Sequence, residues 1–267
     1  MLPKFGLGKI AARGRIKRFQ KLARKFHDLA ADLGGLMVKV GQFLSARLDV
    51  LPEEITKELF GLQDEVAPEP FESILKVIES ELGMSSEIAF AAIDAQPIAA
   101  ASLGQAYRAK ISTGLAEDLG YSNVVIKVLR PGIEAIVDVD LAALTKVGGW
   151  LSKVKLVSKR TNAPALVEEF AEITLQEINY LKEAENLERF ADDFQNDLRI
   201  KTPSVVWERS ARRVLTLTDV SAIKISDVDS LIEAGIDPNA VAAELARATF
   251  EQFFVTGFFH ADPHPGN

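Results

Sequence analysis

Val124-Val125-Ile126-Lys127-Val128-Leu129 reads as a strand, since four of its six residues are β-branched. Successive strand side chains point to opposite faces, so Val124, Ile126 and Val128 share one face and Val125, Lys127 and Leu129 the other. An ammonium among such neighbours is costly to bury alone and calls for an anion. A nucleotide phosphate is one such anion, with a helix carboxylate holding the ammonium in place. An edge strand with Lys127 pointing to solvent is the other reading.

Strand signals flank this segment on both sides. Ala106–Ile111 lies upstream, separated from it by Ser-Thr-Gly and Leu-Gly-Tyr-Ser-Asn turn chemistry. Downstream, Ser204–Trp207 and Val214–Leu217 bracket the polar turn Glu208–Arg212. Pro131 opens a helix through about Val147, and Pro164 a longer one reaching Phe190. Pro238 opens another, in which Phe250, Phe254 and Phe258 recur every four residues and read as a core stripe. Toward the N-terminus, Phe71, Ile74, Leu75 and Ile78 form a helical stripe stopped by Gly83, and Ser85 or Ser86 can cap a further turn. Val66–Pro70 reads as a linker, Pro52 starts a short helix containing Ile55 and Leu59, and Leu36–Leu48 is helical. Helices, a strand pair, two helices, a strand pair and a helix make an α+β fold with a small antiparallel sheet. Strands do not alternate one for one with helices as in a doubly wound sheet, and no internal repeat is present.

The 267 residues suit one large domain or two small ones. Hydrophobic residues at 48% and charged residues at 26% exclude a wholly disordered, collagen-like or coiled-coil chain. With no cysteine, disulfides, thiolate zinc sites, iron–sulfur clusters and a cysteine nucleophile are excluded, and only three histidines remain as nitrogen ligands. The net charge of −7 hides an asymmetry: residues 1–25 carry nine Lys or Arg and no acid, leaving 22 basic against 38 acidic residues in the rest. Ile16, Phe19, Leu22, Phe26, Leu29 and Leu33 draw one helical stripe away from those basic side chains, ended by Gly34–Gly35. Such a helix can lie on an anionic membrane, at about 1 kcal/mol per cation, or it can be a solvated face on a helix packed against the body. An organelle transit peptide is disfavoured, because the stripe runs on into the folded region. Nucleic acid is not expected as a partner: aromatics are not interleaved for stacking, and the acidic body repels phosphate. No uncharged apolar run approaches the roughly 18 residues needed to span a bilayer.

Three further segments carry potential chemistry. Ala99-Ala100-Ala101-Ser102-Leu103-Gly104-Gln105 is a small-residue turn whose backbone N–H groups can approach an anion, although it is neither GxGxxG nor a Walker A loop. In Gln176–Glu183 the carboxylates Glu177 and Glu183 stand six residues apart, roughly 120° around one helix, so they should serve different partners; both also fit plain surface charge. His260-Ala-Asp262-Pro-His264-Pro-Gly-Asn267 gives Asp262 and Asn267 the Asp-x4-Asn spacing of a kinase catalytic loop. The rival reading takes His260, Asp262 and His264 as a metal cluster, but Pro263 and Pro265 disfavour the helix that would put both histidines on one face.

Together these residues resemble the UbiB (AarF-type) family of atypical kinase-like proteins of bacteria, mitochondria and plastids. Lys39-Val40-Gly41-Gln42 resembles the family's KxGQ signature, the Ala-rich turn the segment that replaces the Gly-rich loop, and His260–Asn267 the HADPHPGN loop. The matches run in order from about Gly35 to the last residue. The resemblance implies a protein-kinase-like fold: a helical KxGQ extension over 1–68, a small antiparallel sheet lobe with inserted helices over 69–218, and the start of an incomplete helical C-lobe over 219–267. It implies ATP and Mg2+ as cofactors, with Lys127 on the α/β-phosphates and Glu183 orienting Lys127. Ala100, Ala101, Ser102, Gly104 and Gln105 would cover the nucleotide. Lys39 would lie near the nucleotide and pair with Glu177. Asp262 would act as base or orient the attacking group, and Asn267 would hold metal. It further implies a kinase or ATPase supporting quinone or isoprenoid-lipid metabolism, cytoplasmic or in an organelle, peripheral to the inner face of a membrane. A membrane lipid or an isoprenoid or quinone precursor would be its partner. An inactive pseudokinase or lipid-binding accessory module is the alternative. Three departures stand out: Glu177-Ile-Asn179 replaces the family's ExD, Thr218-Asp-Val-Ser-Ala replaces a Glu-containing hinge, and Asn267 precedes any Asp-Phe-Gly equivalent. Weak or absent turnover is therefore expected of these 267 residues by themselves.

Overall fold

The computed structural model describes residues 21, 23–30, 35–47, 51, 53–59, 66–159 and 161–261. Residues 23–30 are helical and are followed by α1 (Gly35–Ser45) and α2 (Glu53–Leu59). Their close packing uses small residues more than the expected stripe: Ala23 and Ala30 are buried while Leu29 is exposed. Arg24, one of the basic residues, forms two hydrogen bonds of 2.8 Å with Glu58 of α2. The other basic positions up to Arg18 lie outside the described residues.

Helix α3 (Phe71–Leu82) ends as expected at Gly83, whose φ of +67° is open to a residue without Cβ and whose N–H closes on the Glu79 carbonyl. A single turn, Ser86–Ala89, leads into β1 (Phe90–Ile93), β2 (Ala99–Ala100) and β3 (Gly104–Ile111). The segment before β4 (Asn123–Leu129) is not turn throughout: Thr113–Leu119 forms α4, because Leu115, Ala116 and Leu119 pack on the core. Beyond β4 come α5 (Ile133–Leu151), α6 (Ala163–Glu177) and α7 (Tyr180–Asp193), then β5 (Val214–Thr218), α8 (Val228–Glu233) and α9 (Pro238–Glu251). Ser204–Trp207 contributes only an isolated bridge at Val205, because Trp207–Arg209 turns into a 3-10 helix.

All strand pairings are antiparallel, in the order β1-β3-β4-β5, with β2 on the same edge of β3 as β1. Lys127 therefore sits in an interior strand, opposite Ala106 on one side and Leu215 on the other, which removes the edge-strand reading. One sheet face, with Tyr107, Val124, Ile126 and Val128, packs on Ile74, Val77 and Ile78 of α3. The opposite face, with Leu129 and Leu215, packs on Ile133 and Val137 of α5, Phe170 of α6 and Ala184 of α7, joined by Leu36 and Val40 of α1. The sheet is thus the middle of three layers.

Two further expectations are corrected. The single helix from Pro164 to Phe190 is two: buried Ile178 and the Tyr180 N–H, bonded to the Arg212 carbonyl at 2.9 Å, turn the chain at Ile178–Asn179. The aromatic stripe of α9 is not core: Phe250 and Phe254 are 62% and 81% exposed. After α9 the helix widens into a π turn, Gln252–Thr256, which breaks the four-residue spacing, and the rings stack as Phe250 on Phe254 and Phe253 on Phe259.

Candidate functional site

The turn at Ile178–Asn179 gives the two glutamates different partners through separate helices. Glu183, in the first turn of α7, receives the Lys127 ammonium at 2.5 Å. Glu177, at the end of α6, pairs with Lys39 of α1 at 3.0 Å. Lys39 and Arg47 of the α1 segment meet Glu177 and Glu169 of α6, eight residues apart on each side and in opposite order, with Phe43 against Phe170 between them. The helices therefore run antiparallel in one register, and Gly41 is buried and Gln42 half-buried within it.

Tyr180 joins the two carboxylates to the Ala-rich turn. Its ring lies 5.3 Å under the Lys127 ammonium. Burial, with Glu183 and then Glu177 adding negative potential, pushes its phenol far above the ordinary range, so it stays a neutral hydroxyl. That hydroxyl occupies the space a Cβ would fill on Gly104, and such a Cβ would also lie 2.8 Å from the Val128 carbonyl. Gly104 is thus required by close approach.

The turn itself is held from behind. Ala101 N–H bonds the Gly104 carbonyl at 2.8 Å, and Arg130 N–H the Leu103 carbonyl at 2.9 Å. The Arg130 guanidinium, almost wholly buried, donates to the Ala101 carbonyl, the Glu69 carboxylate and the Ala67 carbonyl at 2.9, 2.8 and 2.9 Å. Val66–Pro70, read as a linker, is therefore a fastened strap. Gln105 shares this duty. Its register opposite Val128 turns it to the α3 face, where it accepts from Glu69 N–H and donates to the Tyr107 hydroxyl, each at 2.5 Å. Among the expected nucleotide-binding residues, Ala100 and Ala101 are half-buried and Ser102 and Gly104 buried in the turn, while the Gln105 side chain points away from Lys127.

Helix α7 also reaches the segment leading to the last residues. Arg189 covers the Phe258 ring at 4.1 Å, and Glu188 accepts from the Trp207 indole at 2.5 Å. Buried Gln252 accepts from His260 N–H at 2.8 Å and donates to the Ala248 carbonyl at 3.2 Å, anchoring the start of the His260–Asn267 segment. Asp262, His264 and Asn267 lie outside the described residues. No group of three His, Asp or Glu able to hold a metal occurs among the described residues. The Asn179 Oδ1, where the resembled motif carries an acid, is buried without a hydrogen-bond partner among the described residues.

Arg130, Tyr180 and Gln252 were not singled out from the sequence. The only signal for Arg130 was a charge between an apolar strand and Pro131-Gly132; Tyr180 adjoins the Glu177-Ile-Asn179 triplet.

Residues 61–267 match the ABC1 atypical kinase-like domain. The chain belongs to this family. Among its relatives, the Arabidopsis thaliana chloroplastic protein Activity of BC1 Complex Kinase 8 is 39% identical over 255 residues, covering 95% of this chain and 32% of the relative. A probable protein kinase UbiB of Azotobacter vinelandii is 33% identical over 236 residues, covering 88% of this chain and 43% of the relative. The solved Rv3197–erythromycin complex from Mycobacterium tuberculosis superposes with a TM-score of 0.62 at 26% identity, over 97% of this chain and 62% of that one. The α+β architecture is thus kinase-like, and the chain spans between a third and a half of the curated ABC1 and UbiB relatives it matches. No helix among the described residues is long and apolar enough to cross a membrane.

Proposed function

We propose that this chain is the nucleotide-binding part of a UbiB-type atypical kinase or ATPase that takes ATP with Mg2+ and serves quinone or isoprenoid-lipid metabolism at a membrane. The observation that carries the reading is the Lys127–Glu183 pair at 2.5 Å beside the Ala99–Gln105 turn. The pair keeps 34% and 41% of its side-chain surface open, so the ammonium remains accessible to a polyphosphate while Glu183 orients it. Gly104 brings the backbone of the turn close, and Arg130 holds it there. Asp262 accepts a proton from, or orients, the attacking group, and Asn267 provides an oxygen for the metal. Magnesium, when bound, neutralises phosphate charge. On this reading residues 1–68 form the KxGQ extension, 69–218 the nucleotide lobe and 219–267 the beginning of the second lobe.

The test is nucleotide binding and hydrolysis by the full-length protein, with and without anionic liposomes. Lys127→Met is expected to weaken ATP binding at least tenfold, and Asp262→Asn to bind but not hydrolyse. Wild-type affinity in Lys127→Met overturns the reading. Asn179, uncharged where the family motif carries an acid, favours a second reading as a pseudokinase or lipid-accessory module. Nucleotide binding without hydrolysis in both wild type and Asp262→Asn would select it.

A further inference from the structure

Helix α5 is apolar on two sides. Ile133, Val137 and Leu141 enter the core. Ile136, Val139, Ala143, Val147 and Trp150 recur in steps of three, four, four and three, and all five are exposed, Val139 at 69% and Trp150 at 66%. At about 100° and 1.5 Å per residue they fall within an arc of roughly 80° and a length of about 20 Å. Single exposed apolar residues are ordinary, but five in register along one helix face mark an interaction surface.

The charges follow the same line. After Asp138 and Asp140 no acid occurs until Glu168, and residues 141–167 carry Lys146, Lys153, Lys155, Lys159 and Arg160. This acid-free window is as long as the one at the N-terminus. Outside residues 1–25 and 141–167 the chain holds 17 basic against 38 acidic residues, so the window is a basic stretch in an otherwise acidic sequence. All four lysines are exposed, and none forms an ion pair among the described residues. Trp150 stands where the apolar stripe runs into the lysines, before Lys153 and the single turn Lys155–Ser158.

An apolar stripe ending in an indole and followed by unpaired lysines is complementary to a surface that is apolar beneath and anionic on top. A nucleic acid would satisfy the lysines and leave the stripe in water. We propose that this face of α5 and the turn after it seats the protein on an anionic lipid bilayer, with Trp150 entering the headgroup layer and Lys146, Lys153, Lys155 and Lys159 meeting lipid phosphates. The proposal gives the membrane part of the proposed function a location and rests on that part alone; nucleotide binding at Lys127 stands or falls separately.

The experiment uses the 267-residue chain carrying Trp207→Phe, which leaves Trp150 as its one tryptophan. Vesicles of phosphatidylcholine and phosphatidylglycerol in equal parts should sediment with the protein and shift Trp150 emission to the blue, and phosphatidylcholine alone should do neither. Lys153→Glu combined with Lys155→Glu should weaken sedimentation at least about 25-fold, at about fivefold per cation removed, with repulsion of the two introduced carboxylates adding to the loss. ATP binding, read in the same samples, should be unchanged in this variant, because both lysines lie outside the Lys127 site. Undiminished sedimentation of the double variant, bound protein whose Trp150 emission does not move, or absence of sedimentation overturns the proposal. A blue shift that follows protein concentration without vesicles also overturns it, in favour of a second copy on this face.

Discussion

Replacing Arg130 with methionine should loosen the Ala99–Gln105 turn while leaving the apolar stem roughly filled. The side chain is only 10% exposed and makes three hydrogen bonds between 2.8 and 2.9 Å. A hydrogen bond to a charged group contributes roughly 1.5–3 kcal/mol, but the three share one guanidinium and do not add. Ala67 is exposed and Glu69 is 37% exposed, so water can replace the arginine at both, and the half-buried Ala101 carbonyl bears most of the loss. The net destabilisation is then about 2–4 kcal/mol. At about 2–4 °C per kcal/mol for a protein of this size, Tm should fall by roughly 5–15 °C. Arg130→Lys should recover less than half, because an ammonium cannot serve three acceptors spread around a planar fork. Thermal unfolding by circular dichroism reads the global effect. Amide hydrogen exchange at Ala101, whose N–H bonds the Gly104 carbonyl, reads the local one, and ATP affinity should fall with it. A Tm within about 2 °C of wild type, with unchanged protection at Ala101, would refute the clamp.

Gly104→Ala places a Cβ 2.8 Å from the Val128 carbonyl and against the Tyr180 hydroxyl, and should cost about 1–3 kcal/mol; Tyr180→Phe in that background should restore part of it in urea unfolding, and no restoration would argue against the Tyr180 contact. Glu183→Gln removes a pair that is more than a third exposed on both sides, so stability should change by at most about 1 kcal/mol while ATP titration shows a clear loss of affinity. The reverse outcome, a large fall in Tm with unchanged affinity, would make the pair structural. Hydrogen bonds from Arg199, with the Arg247 charge beside them, hold the Asp197 carboxyl at about 2. A depressed acid stabilises the fold above its unfolded pKa, near 4, and loses that contribution as pH falls toward 2. Acid unfolding of Asp197→Asn should therefore lack the part of the wild-type pH dependence in that window; identical profiles would contradict the assignment.

Much of the fold was legible where one residue type has one physical consequence. Alternation in Val124–Leu129 placed Lys127 opposite the Val124-Ile126-Val128 face, and the α3 stripe with Gly83 behind it marked both a buried face and a stop. The separate partners expected for Glu177 and Glu183 are observed, but the reason differs: a chain break after Glu177 places them on two helices. The break was hidden because nothing in Ile178-Asn179 forbids helix; a distant carbonyl, that of Arg212, captures the Tyr180 N–H. The Phe250, Phe254 and Phe258 spacing suggested a core, since periodicity reports that a face is apolar and not what covers it. The strap at Val66–Pro70 looked like a free linker because its partner, Arg130, is some sixty residues away.

The sequence by itself determined the α+β class with its small antiparallel sheet, the alternation that gives Lys127 its face, and the family to which the chain belongs. These follow from local geometry and composition, which act over a few residues. Only the tertiary structure decided that Lys127 lies in an interior strand, that Tyr180 fills the space above Gly104, that Arg130 fastens the turn from behind, and that one apolar face of α5 is exposed among the described residues. Each of these depends on residues far apart in the chain meeting across a packed layer, where burial and hydrogen-bond satisfaction select the partner and sequence distance does not.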